Sequence, residues 1–209
     1  MDFDYSEEQQ QLADSLGKYL VNEYDFEARK AAMHSPGGGS DAAWSTFAEL
    51  GLTAIPFAAA DGGFGGGAVD LMAAMEACGA ALVVEPLLDS VGLAGRLVAR
   101  AGSAAQRAAV LPGVIDGSTR LAFGYLERGR RYEAAPATTV ARKTGAGWTI
   151  DGEKIVVIGA PLAKQLVISA RTSASAGDAA GVSLFLIDAA SKGLSVNAYR
   201  TVDGQRAAI

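Results

Sequence analysis

Chemistry has few places to happen in this chain. Gly63-Phe64-Gly65-Gly66-Gly67-Ala68 spells G-x-G-x-x-A, and Glu85 stands about twenty residues past it, the spacing of a dinucleotide-binding turn. Such a turn needs a strand before it. Ile55-Pro56-Phe57 is short and broken by proline, and helical sequence precedes it. The context favours a plain turn between helices. Arg130 and Arg131 can grip a phosphate bidentately, or form an ordinary solvated loop. Glu127 ends an apolar run and is a formal candidate for a base. Glu85 and Asp89 flank Pro86, where carboxylates suit a helix N-terminus and read as caps. Gly39-Ser40-Asp41 reads as another helix cap. His34 is the sole histidine and falls in a Pro/Gly-rich loop, so a Ser–His–Asp arrangement has no framework. One His, one Cys and no ligand spacing leave no metal site. Basic residues do not interleave with aromatic ones, which argues against a nucleic-acid surface.

Bulk properties narrow the class further. The chain has 209 residues, half of them hydrophobic, enough for one large folded domain or two small ones. Its 18 basic and 23 acidic residues give a net charge of -5, so any anion site must be local. No apolar run is long enough to span a bilayer. Met1-Asp2-Phe3-Asp4 is acidic where a signal peptide would be basic. Cys78 is alone, which precludes an internal disulfide and fits a cytoplasmic setting.

Two regimes of pattern position these residues. Residues 1–117 read as helical. Ser6 with Gln9 forms a capping box, and Leu12, Leu16, Tyr19 and Leu20 follow at helical spacing. A second helix starts near Ser40 or Asp41, buries Trp44, Phe47 and Leu50, and stops at Gly51. A third runs over 69–81 with Leu71, Met72 and Met75 inward. A fourth follows Pro86 and ends at Gly102. A fifth opens on the Ser103/Gln106 capping box and is closed by the stretch 112–117. After Gly117 come short runs at 120–126, 138–143, 148–151, 154–158, 166–170, 182–187 and 194–199, rich in β-branched or aromatic residues. They predict an antiparallel barrel or sandwich over 118–209, with a mobile hairpin loop at 173–181 and Trp148 in the hairpin core. Ala207-Ala208-Ile209 reads as the start of a further strand in a shortened, incomplete barrel. The fold class is α+β, an all-helical domain followed by a β domain.

Two runs carry the strongest signal. Leu121-Ala122-Phe123-Gly124-Tyr125-Leu126-Glu127 opens the β region, and Asp151-Gly152-Glu153-Lys154-Ile155-Val156-Val157-Ile158-Gly159 follows it. Together with Leu50-Gly51-Leu52, the Asp61 to Gly66 turn, Gln106-Arg107 to Leu111-Pro112, and Asp203-Gly204-Gln205-Arg206, their order resembles the acyl-CoA dehydrogenase family along nearly the whole chain. Tyr24-Asp25-Phe26, the run 62–67 and the run 120–131 are closest in style to the small subunit of pimeloyl-CoA dehydrogenase-type heteromers.

The resemblance implies FAD held against the β domain and enclosed by a third, helical domain. In the family that domain carries the catalytic Glu, and the expectation is that this chain lacks it. It implies α,β-dehydrogenation of an acyl-CoA in fatty acid β-oxidation or dicarboxylate degradation. The implied partners are electron-transferring flavoprotein and another acyl-CoA dehydrogenase subunit in a homo- or hetero-oligomer. The family's Thr-Glu-Pro is here Leu126-Glu127-Arg128, its Gly-Ser-Asp is replaced by Arg130-Arg131-Tyr132, and its Trp-Ile-Ser is Val156-Val157-Ile158. The expected cofactor contacts are Phe123, Tyr125, Leu126, Tyr132, Val156 and Ile158, made through backbone N–H groups and apolar packing. Arg130 and Arg131 are the expected substrate contacts. No catalytic residue and no metal ligand is assigned, and Glu127 is structural by analogy. The eroded positions also admit a non-catalytic partner subunit, and a glycine-loop nucleotide binder is the third reading.

Overall fold

The computed structural model describes residues 4–130, 132–135, 138–145, 147–173 and 180–209. Helices come first. α1 (Glu7–Glu23) opens on the predicted capping box, with Ser6 Oγ accepting from Gln9 N at 3.2 Å and Gln9 Oε1 accepting from Ser6 N at 2.9 Å. α2 (Phe26–His34) is a helix the hydrophobic pattern does not reveal. It buries Ala32 and leaves Phe26 exposed, so no apolar stripe marks it. Its signal is Asp25, whose side chain caps Ala28 N at 2.8 Å. His34 is therefore the last residue of a helix rather than part of a loop, with Nδ1 2.7 Å from Lys30 O.

α3 (Asp41–Glu49) is capped by Ser40 and buries Trp44 and Phe47. α4 (Ala68–Ala80) buries Leu71, Ala74 and Cys78, a phase that turns Met72 outward, against expectation. The helix after Pro86 begins as a π-helical segment, Leu88–Gly95, and continues as α5 (Arg96–Ala101). α6 (Ala104–Ile115) starts on the Ser103/Gln106 box. Pro112 sits inside it instead of closing it. The ring removes one donor, while Pro112 O still accepts from Asp116 N at 3.0 Å.

Eight strands follow among the described residues: β1 (Leu121–Gly124), β2 (Val140–Thr144), β3 (Gly147–Asp151), β4 (Val157–Ile158), β5 (Gln165–Arg171), β6 (Val182–Asp188), β7 (Ala198–Arg200) and β8 (Arg206–Ala208). One sheet runs β1-β5-β2-β3 with β6 on β5, and a second runs β4-β8-β7. Antiparallel pairing holds for β2–β3, β5–β6, β4–β8 and β7–β8. β1 instead lies parallel to β5, Leu121 opposite Gln165 through Gly124 opposite Ile168. The predicted loop at 173–181 has its middle, 174–179, outside the described residues. Trp148 is half exposed, edge-on to Phe185 at 5.3 Å, rather than in a hairpin core.

The helical core gathers Leu16, Phe47, Leu52, Phe57, Val91, Leu111 and Val114, all essentially inaccessible. Glu85 borders it. It is not the solvated cap that its place before Pro86 suggests, because it is buried where the C-cap of α1 meets the N-cap of α3. Its Oε2 accepts from Tyr24 Oη at 2.6 Å and its Oε1 from Ser40 N at 2.7 Å. Burial first, then the Glu85 charge and hydrogen bond, push the Tyr24 hydroxyl far above its ordinary value of 10.0. The folded state thus keeps a proton that the unfolded chain releases. The resulting stability is full below pH 10 and is lost as pH rises above it. Tyr24→Phe should cost about 1.5–3 kcal/mol near neutral pH, the worth of a hydrogen bond to a charged group. It should also flatten the alkaline fall in stability, as checked by urea unfolding at neutral pH and at strongly alkaline pH.

Candidate functional site

The two chemistry-bearing runs lie side by side. β1 ends at Gly124 and the β4 ladder begins only at Val157. Between those limits Ile155 N donates to Leu126 O at 3.0 Å and joins residues 125–127 to residues 154–156. The predicted strand at 154–158 shrinks to Val157–Ile158, and Val156 just before it takes φ +53°, outside the extended region of a regular strand. Gly124 shows how close the approach is. A Cβ there would stand 2.6 Å from Ile168 Cδ1 and 3.3 Å from Lys154 Cγ.

The partly exposed side chains of this ribbon are apolar or aromatic. Phe123 and Tyr125 stack at 5.0 Å with their rings 20° apart. Leu126 and Ile158 are half-buried, and Val156 is exposed. Val157, between the last two, is buried in the second apolar cluster with Ala122, Leu166, Ile168 and Ala208. An open cleft of about 940 Å³ lies on that inner side, lined by Trp148, Ile150, Val157, Leu166, Phe185 and Ile209. Phe123, Tyr125, Leu126, Val156 and Ile158 are not among its lining residues, so this cleft is separate from the platform that those residues would form.

Beneath the platform sits a buried ion pair. Lys154 Nζ bonds Glu127 Oε1 at 3.0 Å, Ser169 Oγ at 3.2 Å and Tyr125 O at 3.3 Å. Glu127 also accepts from Thr138 N at 2.8 Å, Thr138 Oγ1 at 3.0 Å and Thr139 N at 2.9 Å. Burial draws the Lys154 ammonium below its ordinary 10.5, and Glu127 opposes that fall. The pair occupies both groups, so the Glu127 carboxylate is tied into the fold.

The remaining candidates are more scattered. Tyr132 is almost wholly exposed. Arg130 pairs with Glu133, while its buried Nε has no partner among the described residues. Arg131 lies outside the described residues. Sequence reasoning missed Lys154, Ser169 and Thr138. The signal for Lys154 is present in Asp151-Gly152-Glu153-Lys154, which reads in sequence only as a hairpin motif.

A flavin can be tested against this surface. The stacked rings with Val156 and Ile158 suit the face of a flat tricycle. The backbone N–H groups of Leu126 and Val156, which have no acceptor among the described residues, suit its polar edge. Side-chain donors are missing at both positions, so the fit is one of shape and backbone. No group of three or more His, Cys, Asp or Glu residues among the described residues could hold a metal, and no described helix is long and apolar enough to cross a membrane.

This arrangement, helices followed by a sheet unit with a paired ribbon on its outer side, defines a protein class. The chain belongs to the acyl-CoA dehydrogenase family. Residues 6–118 match the family's N-terminal domain and residues 122–209 its middle domain. The acyl-CoA dehydrogenase FadE12 of Mycobacterium tuberculosis is 27% identical over 194 residues, which is 91% of this chain and 49% of that protein. The solved structure of the Tcur3481-Tcur3483 steroid ACAD G363A variant is 30% identical with a TM-score of 0.86, covering 97% of this chain and 54% of that one. PigA with FAD and proline shares the fold, with a TM-score of 0.83 at 23% identity over 100% of this chain and 56% of that one. The chain spans about half the length of the curated relatives it matches.

Val156 stores backbone strain, because a β-branched side chain is held at positive φ. Val156→Gly should raise stability by about 1 kcal/mol, the relief of strain exceeding glycine's greater unfolded entropy. A chemical-denaturation midpoint checks this.

Proposed function

We propose that this chain supplies the helical and flavin-side domains, residues 1–117 and 118–209, of an FAD-dependent acyl-CoA dehydrogenase. Support comes from the adjacency of the runs 121–127 and 154–159, joined at Leu126 O and Ile155 N. FAD, when bound, would take the hydride from the acyl β-carbon. Phe123, Tyr125, Leu126, Val156 and Ile158 would wall the ring and exclude water from it. The N–H groups of Leu126 and Val156 would orient its polar edge. Tyr132 would lie beside the cofactor, and Arg130 with Arg131 would meet phosphate groups of the CoA substrate. The buried Nε of Arg130, without a partner among the described residues, supports that role. With Glu127 held by Lys154, the proton-abstracting base would come from outside the described residues, on another segment or subunit. Electron-transferring flavoprotein would reoxidise the cofactor. The two-protein name Tcur3481-Tcur3483 supports a hetero-oligomer.

A second reading, a non-catalytic partner subunit with an eroded FAD site, is favoured by one observation. Neither Val156 nor Ile158 carries an aromatic ring or a hydroxyl. FAD titration of the full chain, alone and mixed with a second acyl-CoA dehydrogenase subunit, separates the two. FAD bound stoichiometrically per copy of this chain, alone or in excess of what the second subunit binds by itself, supports the dehydrogenase reading, and its absence in both cases overturns it. If the site is eroded, the double variant Val156→Trp, Ile158→Ser should raise FAD occupancy. Unchanged occupancy with full activity in the lone chain excludes the partner role.

A further inference from the structure

Residues 125–127 and 154–156 lie beyond the ends of both ladders, so no sheet register fixes their offset. One backbone hydrogen bond, Ile155 N to Leu126 O, links them among the described residues. Against that weak tether stands an ion pair whose side chains are 7% and 1% exposed. For stability alone a buried pair is a poor device, because losing the hydration of both charges offsets most of their attraction. Its geometry points to another role. Each of the three Lys154 N–H groups has an acceptor, and those acceptors lie on two segments: Tyr125 O and Glu127 Oε1 on the first ribbon, and Ser169 Oγ on β5. Glu127 brings in a further segment through the N–H groups of Thr138 and Thr139, just before β2. Tyr125 O belongs to the same peptide unit as Leu126 N–H. An ammonium on that carbonyl polarises the peptide and sharpens the N–H as a donor.

We propose that the Glu127–Lys154 pair is the positioning device of the platform: it sets residues 125–127 against 154–156 so that the Leu126 and Val156 N–H groups face the bound flavin at a fixed spacing. This rests on the flavin reading above and deepens it. Glu127 and Lys154 act through the backbone and touch no ligand themselves. The pair supplies what the ladders leave out, and it holds Val156 at its positive φ two residues from the ammonium.

The test uses the full chain with its partner subunit where FAD binding needs one. The variants are Lys154→Met, Glu127→Gln and the milder Ser169→Ala. Val114→Ala, in the helical core, serves as a control for general destabilisation. Two quantities are read: hydrogen exchange of the Ile155 amide in the flavin-free chain, and FAD affinity by fluorescence titration. Lys154→Met and Glu127→Gln should each speed Ile155 exchange and weaken FAD binding by about tenfold or more, as expected for loss of a charge-assisted hydrogen bond. The double variant should be no worse than either single one, because the two groups act as a unit. Ser169→Ala should shift both readings the same way by less. Val114→Ala should lower Tm and leave FAD affinity unchanged. A folded Lys154→Met chain with unaltered Ile155 exchange or unaltered FAD affinity overturns the proposal. So does a Val114→Ala chain that loses FAD affinity equally. If Lys154→Met does not fold, Ser169→Ala decides by the same criteria. If the unmodified chain binds no FAD under any condition, the flavin reading fails, and Ile155 exchange alone judges the positioning role.

Discussion

β1 has two buried faces, and the rest of the structure hangs on it. Leu121 packs into the helical core beside the π-helical segment that carries Val91, and Phe123 packs against the same cluster. Ala122, on the opposite face, joins Val157, Leu166 and Ile168 in the sheet-side cluster. The period of two thus joins helices to sheet through one short strand. Leu121 N donates to Ser90 Oγ at 2.9 Å, where a ladder partner would otherwise be needed. Ser90 belongs to the π-helical segment Leu88–Gly95, which packs on β1. Residues 125–127 continue directly from β1, so the platform inherits its placement from both cores.

Beyond Gly124 apolar burial no longer governs. The outward residues there are half exposed, and polar contacts behind them do the holding. Lys154 loses hydration on burial and finds three acceptors in its place. Elsewhere the helical and sheet parts are tied by longer-range polar contacts. Arg29 reaches Asp203 O at 2.7 Å, and Arg200 reaches Met33 O at 3.2 Å. Met33 and Ser35 lie at the C-terminal end of α2, where cations meet unpaired helical carbonyls favourably. That short helix, with little apolar burial of its own, is held in place by arginine contacts.

What the sequence makes legible follows from what kind of signal each element leaves. Ser6/Gln9 and Ser103/Gln106 advertise their helices because a capping box is local in sequence as well as in space. The strands after Gly117 are readable from β-branched runs and glycine turns. α2 is not, because its burial is confined to Ala32 and its ties are distant in sequence. Glu85 looks like a cap beside Pro86 and proves to be a buried junction, since its partners, Tyr24 and Ser40, lie 61 and 45 residues away. The parallel pairing of β1 with β5 is invisible for the same reason. Of the platform, the two runs are visible as sequence, whereas the ion pair behind them depends on how those runs pack.

That distinction bears on how the proposed cofactor wall should be read. Replacing a hydroxyl or an indole by Val156 and Ile158 removes side-chain contacts and leaves the backbone untouched. A peptide N–H cannot be substituted away except by proline, and neither position holds one. Side-chain types therefore understate a site whose polar contacts come from the main chain. What can abolish such a site is loss of backbone geometry. Here the geometry depends on a left-handed valine, an interribbon hydrogen bond and a buried pair. Glu127 and Lys154 match the types the family's motifs carry, while the outward positions differ from them. That pattern is expected if the platform's shape, more than its side chains, carries the binding.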